Sequence, residues 1–282
     1  MTERNLLLLA AITSITWGMT GIFVRLLPSV PFLTIATGRL VIALLVVLPP
    51  LFLFYIKQHN FKKSLITPSS YVLATFLIGY YLLATIAFQL APVAEVALLL
   101  STPPIFILIF QKIRGIASSR SEIIGALLAV FGVAIILSPK VHSIQNQYTS
   151  HFLGDIIAIC AAFLTAIYAY LYRLLAEREQ APESSGVSIL TFAIGSFILS
   201  LIVILMPSPS EINTLDKNDI FIFLGLGVIS TAIPTLGFAI VSKKLPAIIT
   251  SMISLFIPLF SAIFAYLILK EELSIIFFIG CT

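Results

Sequence analysis

Residues 91–113 read APVAEVALLLSTPPIFILIFQKI. Pro92 opens the run, Pro104 interrupts it twelve residues later, and Glu95 is its single charge before Lys112. About 20 apolar residues is the length a helix needs to cross the hydrocarbon of a bilayer, and proline inside such a helix requires neighbouring groups to re-satisfy the backbone. The same spacing returns at Pro246 and Pro258 in the second half of the chain. A membrane helix opened and broken alike in two halves implies a duplicated, all-α, membrane-embedded fold.

Composition agrees. The 282 residues are 60% hydrophobic and 10% charged, whereas soluble chains carry roughly 45–50% and 25%. A soluble domain of this size needs more polar surface than that. Cys160 and Cys281 lie inside apolar runs and fit no disulfide frame or metal cluster. His59, His142 and His151 fall in loops too far apart to suggest a metal site, so no cofactor and no metal are expected. The excess of 16 Lys+Arg over 12 Asp+Glu is too sparse to read as a nucleic-acid surface.

Ten apolar segments follow one another: Leu6–Leu27, Phe32–Ile56, Tyr71–Ala91, Val93–Ile113, Ser121–Ser138, Gly154–Ala176, Val187–Met206, Ile220–Ser242, Ala247–Leu269 and Leu273–Thr282. The tenth has half the length of a crossing and is expected to be a short or truncated helix. Runs this long exclude the ten-residue alternating strands of a membrane barrel. Segment one is too long, and lacks the cleavage site, for a removed signal. With the N-terminus inside, eleven basic residues fall on inner loops: Arg4, Lys57, Lys62, Lys63, Lys112, Arg114, Arg120, Arg173, Arg178, Lys243 and Lys244. Four fall outside, at Arg25, Lys140, Lys217 and Lys270. That bias satisfies the positive-inside rule and predicts a multi-pass protein of the cell (inner) membrane with both termini cytoplasmic.

Three matches recur in order between the halves. Arg25-Leu26-Leu27 parallels Arg173-Leu174-Leu175, the Pro92/Pro104 pair parallels Pro246/Pro258, and Gly125 parallels Gly280. The expected organisation is a first five-helix repeat over 1–140, an external linker loop over 141–153, and a second repeat over 154–282. An odd number of crossings per repeat inverts the second unit, a construction recurrent in secondary transporters, whose sites lie near the midplane.

The chain resembles the EamA-type members of the ten-helix drug/metabolite transporter superfamily. The resemblance rests on Trp17-Gly18, Gly38-Arg39, Ala91-Pro92 to Pro104, Gly125 to Gly132-Val133, Gly154-Asp155, Thr231-Ala232-Ile233-Pro234, Leu245-Pro246-Ala247, Pro258-Leu259 and Glu271-Glu272-Leu273-Ser274. It spans nearly the whole chain. Two departures stand out: Ile116-Ala117-Ser118-Ser119 replaces a Glu that often follows helix four, and helix ten is short. What the resemblance implies is export or exchange of amino acids, related metabolites or drug-like compounds, without covalent chemistry.

Within the helices, polar and aromatic stripes mark a candidate substrate site. Thr13, Thr16, Trp17 and Thr20 follow helical spacing in segment one, as do Thr165, Tyr168 and Tyr172 in segment six. Segment three presents Tyr81, Thr85 and Gln89, and segment eight Thr231, Thr235, Phe238 and Ser242. Proline removes a helical donor, so Pro104 frees the Leu100 carbonyl and Pro258 that of Ser254, each an acceptor for an ammonium or amide donor unless Ser101 or Ser254 heals the kink. Pro104, Pro234 and Pro258 are the expected bend points. The Thr hydroxyls have a plainer reading as glue between helices.

Arg39 and Glu95 are the two charges left for the interior. Burying Arg39 costs on the order of 2.5–3.5 kcal/mol at mid-depth, so it should face protein or water. It is expected either to tie helices together through carbonyls or Glu95, or to act as a gate or carboxylate anchor. Glu95 is also a candidate for proton coupling. The expected function is alternating-access transport of a small polar or amphipathic metabolite, as monomer or homodimer, with the lipid bilayer as surroundings. The alternatives are a non-transporting membrane scaffold and a membrane-embedded enzyme; for the latter no nucleophile–base pair or acidic pair appears in the sequence.

Overall fold

A computed structural model describes residues 3–54, 59–116, 120, 123–125, 128, 131, 146–205, 216–253 and 256–271. Segment one forms α1 (Glu3–Gly18) and α2 (Thr20–Arg25), segment two α3 (Phe32–Phe54), and a short α4 (His59–Ile66) leads into segment three, α5 (Pro68–Leu90). Segment four is split into α6 (Val93–Leu99) and α7 (Pro103–Ile113). Segments six and seven are α8 (Asn146–Glu177) and α9 (Ser184–Leu205). Segment eight runs through α10 (Lys217–Gly227), a π turn at Val228–Ala232 and α11 (Ile233–Lys244). Segment nine comprises α12 (Ala247–Ile253), α13 (Phe256–Phe264) and a π turn at Ala265–Leu269.

There is no strand among the described residues, and eight helical runs there are long and apolar enough to cross a membrane. Segment ten, and segment five apart from isolated positions, lie outside the described residues. The stretch expected as a linker loop is already helical from Asn146. Hydropathy marks where a helix enters hydrocarbon, not where it starts, and no proline separates Asn146 from the apolar run.

Close contacts orient the two halves. At one end of the bundle, Arg25 Nη2 donates to the Ala91 carbonyl at 2.8 Å, and Gly154 sits so near Leu90 and Ala91 that an added Cβ would lie 2.9–3.0 Å from theirs. The end of segment one and the start of segment six therefore share one end of the bundle. At the other end, Leu6 and Ala10 cluster with Val241 and Leu245, and Arg173 Nη1 donates to the Lys244 carbonyl at 3.2 Å. Segments one and six thus run in opposite directions.

The packing obeys the same inversion. Segment one lies against eight and nine, and segment six against three and four. Segment two meets seven and eight, and segment seven meets two and three. Exchanging one with six, two with seven, three with eight and four with nine reproduces the pattern. The outward faces carry Leu8, Leu45, Phe197, Ile204 and Phe221, an apolar belt that suits lipid and would be a liability in water.

Breaks in the crossing helices have local causes. Gly18 lets segment nine approach segment one, because an added Cβ would lie 3.0 Å from Phe260 Cβ and 3.3 Å from backbone atoms of Ile257 and Ser261. Ser261 Oγ uses that approach to donate to the Gly18 carbonyl at 2.7 Å. In segment four, Pro103 cannot donate to the Leu99 carbonyl. The Thr102 N–H and hydroxyl replace it at 3.2 and 2.8 Å. The Leu99 carbonyl is thus served by Thr102, and the neighbouring Ser101 Oγ donates to the Ala97 carbonyl at 2.9 Å.

Candidate functional site

Arg39 lies on α3, fully buried where the two repeats meet. Its Nε donates to Thr231 Oγ1 at 2.9 Å, Nη2 to the Ser230 carbonyl at 3.1 Å and Nη1 to Thr85 Oγ1 at 3.3 Å. The guanidinium also stands 4.6 Å from the centre of the Tyr81 ring, within cation–π range. Proline supplies the key acceptor. Pro234 removes the donor that a helix would give to the carbonyl four residues earlier, which is Ser230. The same rule that pointed to Leu100 and Ser254 would have found Ser230 as a partner for the buried cation.

The expected pairing of Arg39 with Glu95 does not form. Arg39 is held by segments three and eight, whereas Glu95 sits half-buried in the first turn of α6, at the end of the bundle and beside Glu271. Asp155, which the sequence reading left out of the interior, is also fully buried at the start of segment six.

From Arg39 the polar chain continues to the bundle centre. Thr85 Oγ1 donates to the Tyr81 carbonyl at 2.7 Å, and the Tyr81 hydroxyl meets Thr235 Oγ1. Thr235 gives its one proton to the Thr231 carbonyl, so Tyr81 is the donor between them. Tyr81 then meets Tyr80 edge-on at 5.2 Å, Tyr80 meets Trp17 at 5.4 Å, and Trp17 meets Phe238 at 4.9 Å. Tyr168 stacks on Phe238 at 5.5 Å and meets Tyr172 edge-on at 5.5 Å. Four segments, two from each repeat, therefore contribute to one aromatic cluster.

A cavity of about 20 Å³ lies beside that cluster, lined by Trp17, Tyr80, Leu100, Thr165, Phe238 and Ser251 among others. That is room for roughly one water. Tyr81, Thr85 and Thr235 belong to the Arg39 network, and Thr20, Ser101 and Tyr168 are buried without lining the cavity. Among the described residues, Thr20 Oγ1, Tyr168 Oη and Trp17 Nε1 have no partner in hydrogen-bonding geometry. Ser254 lies outside the described residues, Pro258 is buried in α13, and Pro104 in α7. The Thr13, Thr16 and Thr165 hydroxyls bond carbonyls of their own helices, at 2.8–2.9 Å. Tyr80 and Ser230 are the residues the sequence reading missed. Tyr80 is hidden in the sequence because it adjoins Tyr81, and adjacent residues point in different directions on a helix.

The two ends of the central region are tied by repeat-related arginines, Arg25 to Ala91 and Arg173 to Lys244. At the Arg25 end a hollow of about 450 Å³ opens, lined by Val24, Arg25, Ser29, Phe32 and Gln89 among others. Glu271 accepts from the Val93 N–H at 3.2 Å and so caps α6. Burial holds its carboxyl above the usual range; the Val93 N–H and Arg25 pull it back, and Glu95 adds to the rise.

Comparison with known proteins agrees with this architecture. The chain is 22% identical over 273 residues to an uncharacterized transporter of Archaeoglobus fulgidus, covering 94% of this chain and 89% of the relative. A solved crystal structure shares its fold with a TM-score of 0.74 at 18% identity, covering 99% of this chain and 94% of the other. The sequence profile of the EamA-like transporter family matches residues 5–138 and 152–282, one copy on each half. The chain is therefore a multi-pass membrane protein that belongs to the EamA-like transporter family, within the drug/metabolite transporter superfamily.

Proposed function

We propose that the protein exports or exchanges small polar or amphipathic metabolites such as amino acids, by alternating access around the aromatic cluster. The observation that carries this reading is a small cavity at the meeting of two inverted units, walled by both repeats and by the broken segments four and nine. A cavity of about 20 Å³ cannot hold a metabolite, so on this reading the conformation is a closed one. Loading requires segments to part, with Pro104, Pro234 and Pro258 as bend points and release of the Arg25 or Arg173 tether opening one end at a time. The basic residues Lys62, Lys63, Lys112, Arg114, Arg173, Lys243 and Lys244 lie toward the end where α1 begins, which favours cytoplasmic termini in an inner membrane.

Proteoliposomes loaded with pooled unlabelled amino acids and offered radiolabelled ones test the reading. Uptake above empty liposomes is expected. Trp17→Ala should reduce it by about tenfold, the effect of removing a substrate contact of about 1.4 kcal/mol at the cavity wall. No flux from any amino-acid pool refutes the substrate class, and flux indifferent to Trp17→Ala refutes the cavity as the site.

A further inference from the structure

α4 is eight residues long and too short to persist alone. One face is fastened to the bundle: Phe61 and Ser64 are buried, Ser64 Oγ donates to the Phe61 carbonyl at 2.6 Å, and Gly186 of α9 lies directly against Ser64. The other face presents Lys62 and Lys63, both exposed, with Ile66 78% exposed beside them. Two hydroxyls satisfy the carbonyls at the C-terminal end, Thr67 Oγ1 on Lys63 at 2.7 Å and Tyr71 Oη on Leu65 at 2.7 Å. Tyr71 itself is exposed at the first turn of α5.

These positions suit the edge of a bilayer. Tyrosine is enriched at membrane–water boundaries, and an exposed apolar residue beside two lysines matches the pattern of a helix lying in that plane. Arg173 and Lys243 on the same end have carboxylate partners, Glu177 at 3.0 Å and Glu183 at 3.2 Å. Lys62 and Lys63 make no ion pair among the described residues. We propose that the exposed face of α4 is a seat for anionic phospholipid, with Lys62 and Lys63 on the headgroup phosphate and Ile66 against its acyl chain. The site is independent of any transported substrate.

Native mass spectrometry of the full chain released from nanodiscs of mixed phosphatidylglycerol and phosphatidylcholine tests it. Wild type should retain phosphatidylglycerol in preference to phosphatidylcholine. The double variant Lys62→Gln/Lys63→Gln should lose that preference by about fivefold for each lysine, the usual strength of a lysine near an anionic membrane surface. Lys62→Arg/Lys63→Arg should keep it. Both pairs are exposed, and elution as a single symmetric species checks that each variant is folded. Equal phosphatidylglycerol retention by wild type and the Gln variant overturns the proposal, as does loss of the preference in the Arg variant.

Discussion

Replacing Arg39 separates the cost of burying a charge from the value of what it holds. The side chain makes three hydrogen bonds, to Thr231, Ser230 and Thr85, and stacks on Tyr81. Interhelical hydrogen bonds in membranes average about 0.6 kcal/mol, so three contribute about 2 kcal/mol. The ring contact adds about 0.5–2 kcal/mol. The Ser230 carbonyl, which Pro234 cannot serve, adds about 1 kcal/mol or more when left unpaired. Arg39→Met therefore forfeits about 3.5–5 kcal/mol but is relieved of burying a cation, about 2.5–3.5 kcal/mol on the insertion scale. The two nearly cancel, and Met fills much of the vacated volume. Arg39→Ala has the same electrostatic balance and adds a cavity, about 2–5 kcal/mol by analogy with other large-to-small changes. Arg39→Lys keeps the buried charge yet reaches fewer partners, and should fall between them. The expected order of thermal stability in detergent is wild type, Met, Lys, Ala, with Met within about 2 kcal/mol of wild type. On the transport reading, uptake into proteoliposomes should be lost in the Met variant even though it is folded, because segment two no longer holds segment eight. A Met variant destabilised as much as Ala would refute the charge accounting, and unchanged uptake would remove Arg39 from the working site.

Two further outcomes are expected. Gly18→Ala places a Cβ 3.0 Å from Phe260 Cβ and 3.3 Å from backbone of segment nine, and should lower thermal stability by about 1–3 kcal/mol; an unaffected unfolding curve would deny the close approach. Glu271 has a folded pKa above its ordinary 4.5, so the folded state holds that proton more tightly than the unfolded chain does. The stability it lends is complete below the ordinary value and is lost as pH rises through the raised one. Glu271→Gln ends that titration while keeping an acceptor for the Val93 N–H, so the fall in stability as pH rises above the ordinary carboxylate value should flatten, and an unaltered slope in thermal unfolding would refute the assignment.

Much of the architecture is legible locally. Hydropathy runs locate the eight described crossings because each helix must satisfy its own backbone in lipid, so every crossing is written in consecutive residues. Paired prolines and the Arg-Leu-Leu match reveal the duplication for the same reason. The site is less legible. Trp17, Tyr81, Thr85, Tyr168 and Thr235 could be singled out as polar or bulky groups in apolar helices, yet Tyr80 could not be told from Tyr81. Nothing near Glu271 in the sequence marks it as a cap, because its partner, Val93, is 178 positions away.

The sequence by itself determined that the chain is a membrane protein, where its crossings fall, that it repeats, and that Arg39 needed partners. Tertiary structure alone decided who those partners are. Thr231 lies 192 residues from Arg39 and Ser230 lies 191, on the opposite repeat. Apolar periodicity says which segments are buried in the membrane but not which faces meet. That choice is made by close packing at positions such as Gly18 and Gly154, and by the few polar groups that have no water to turn to.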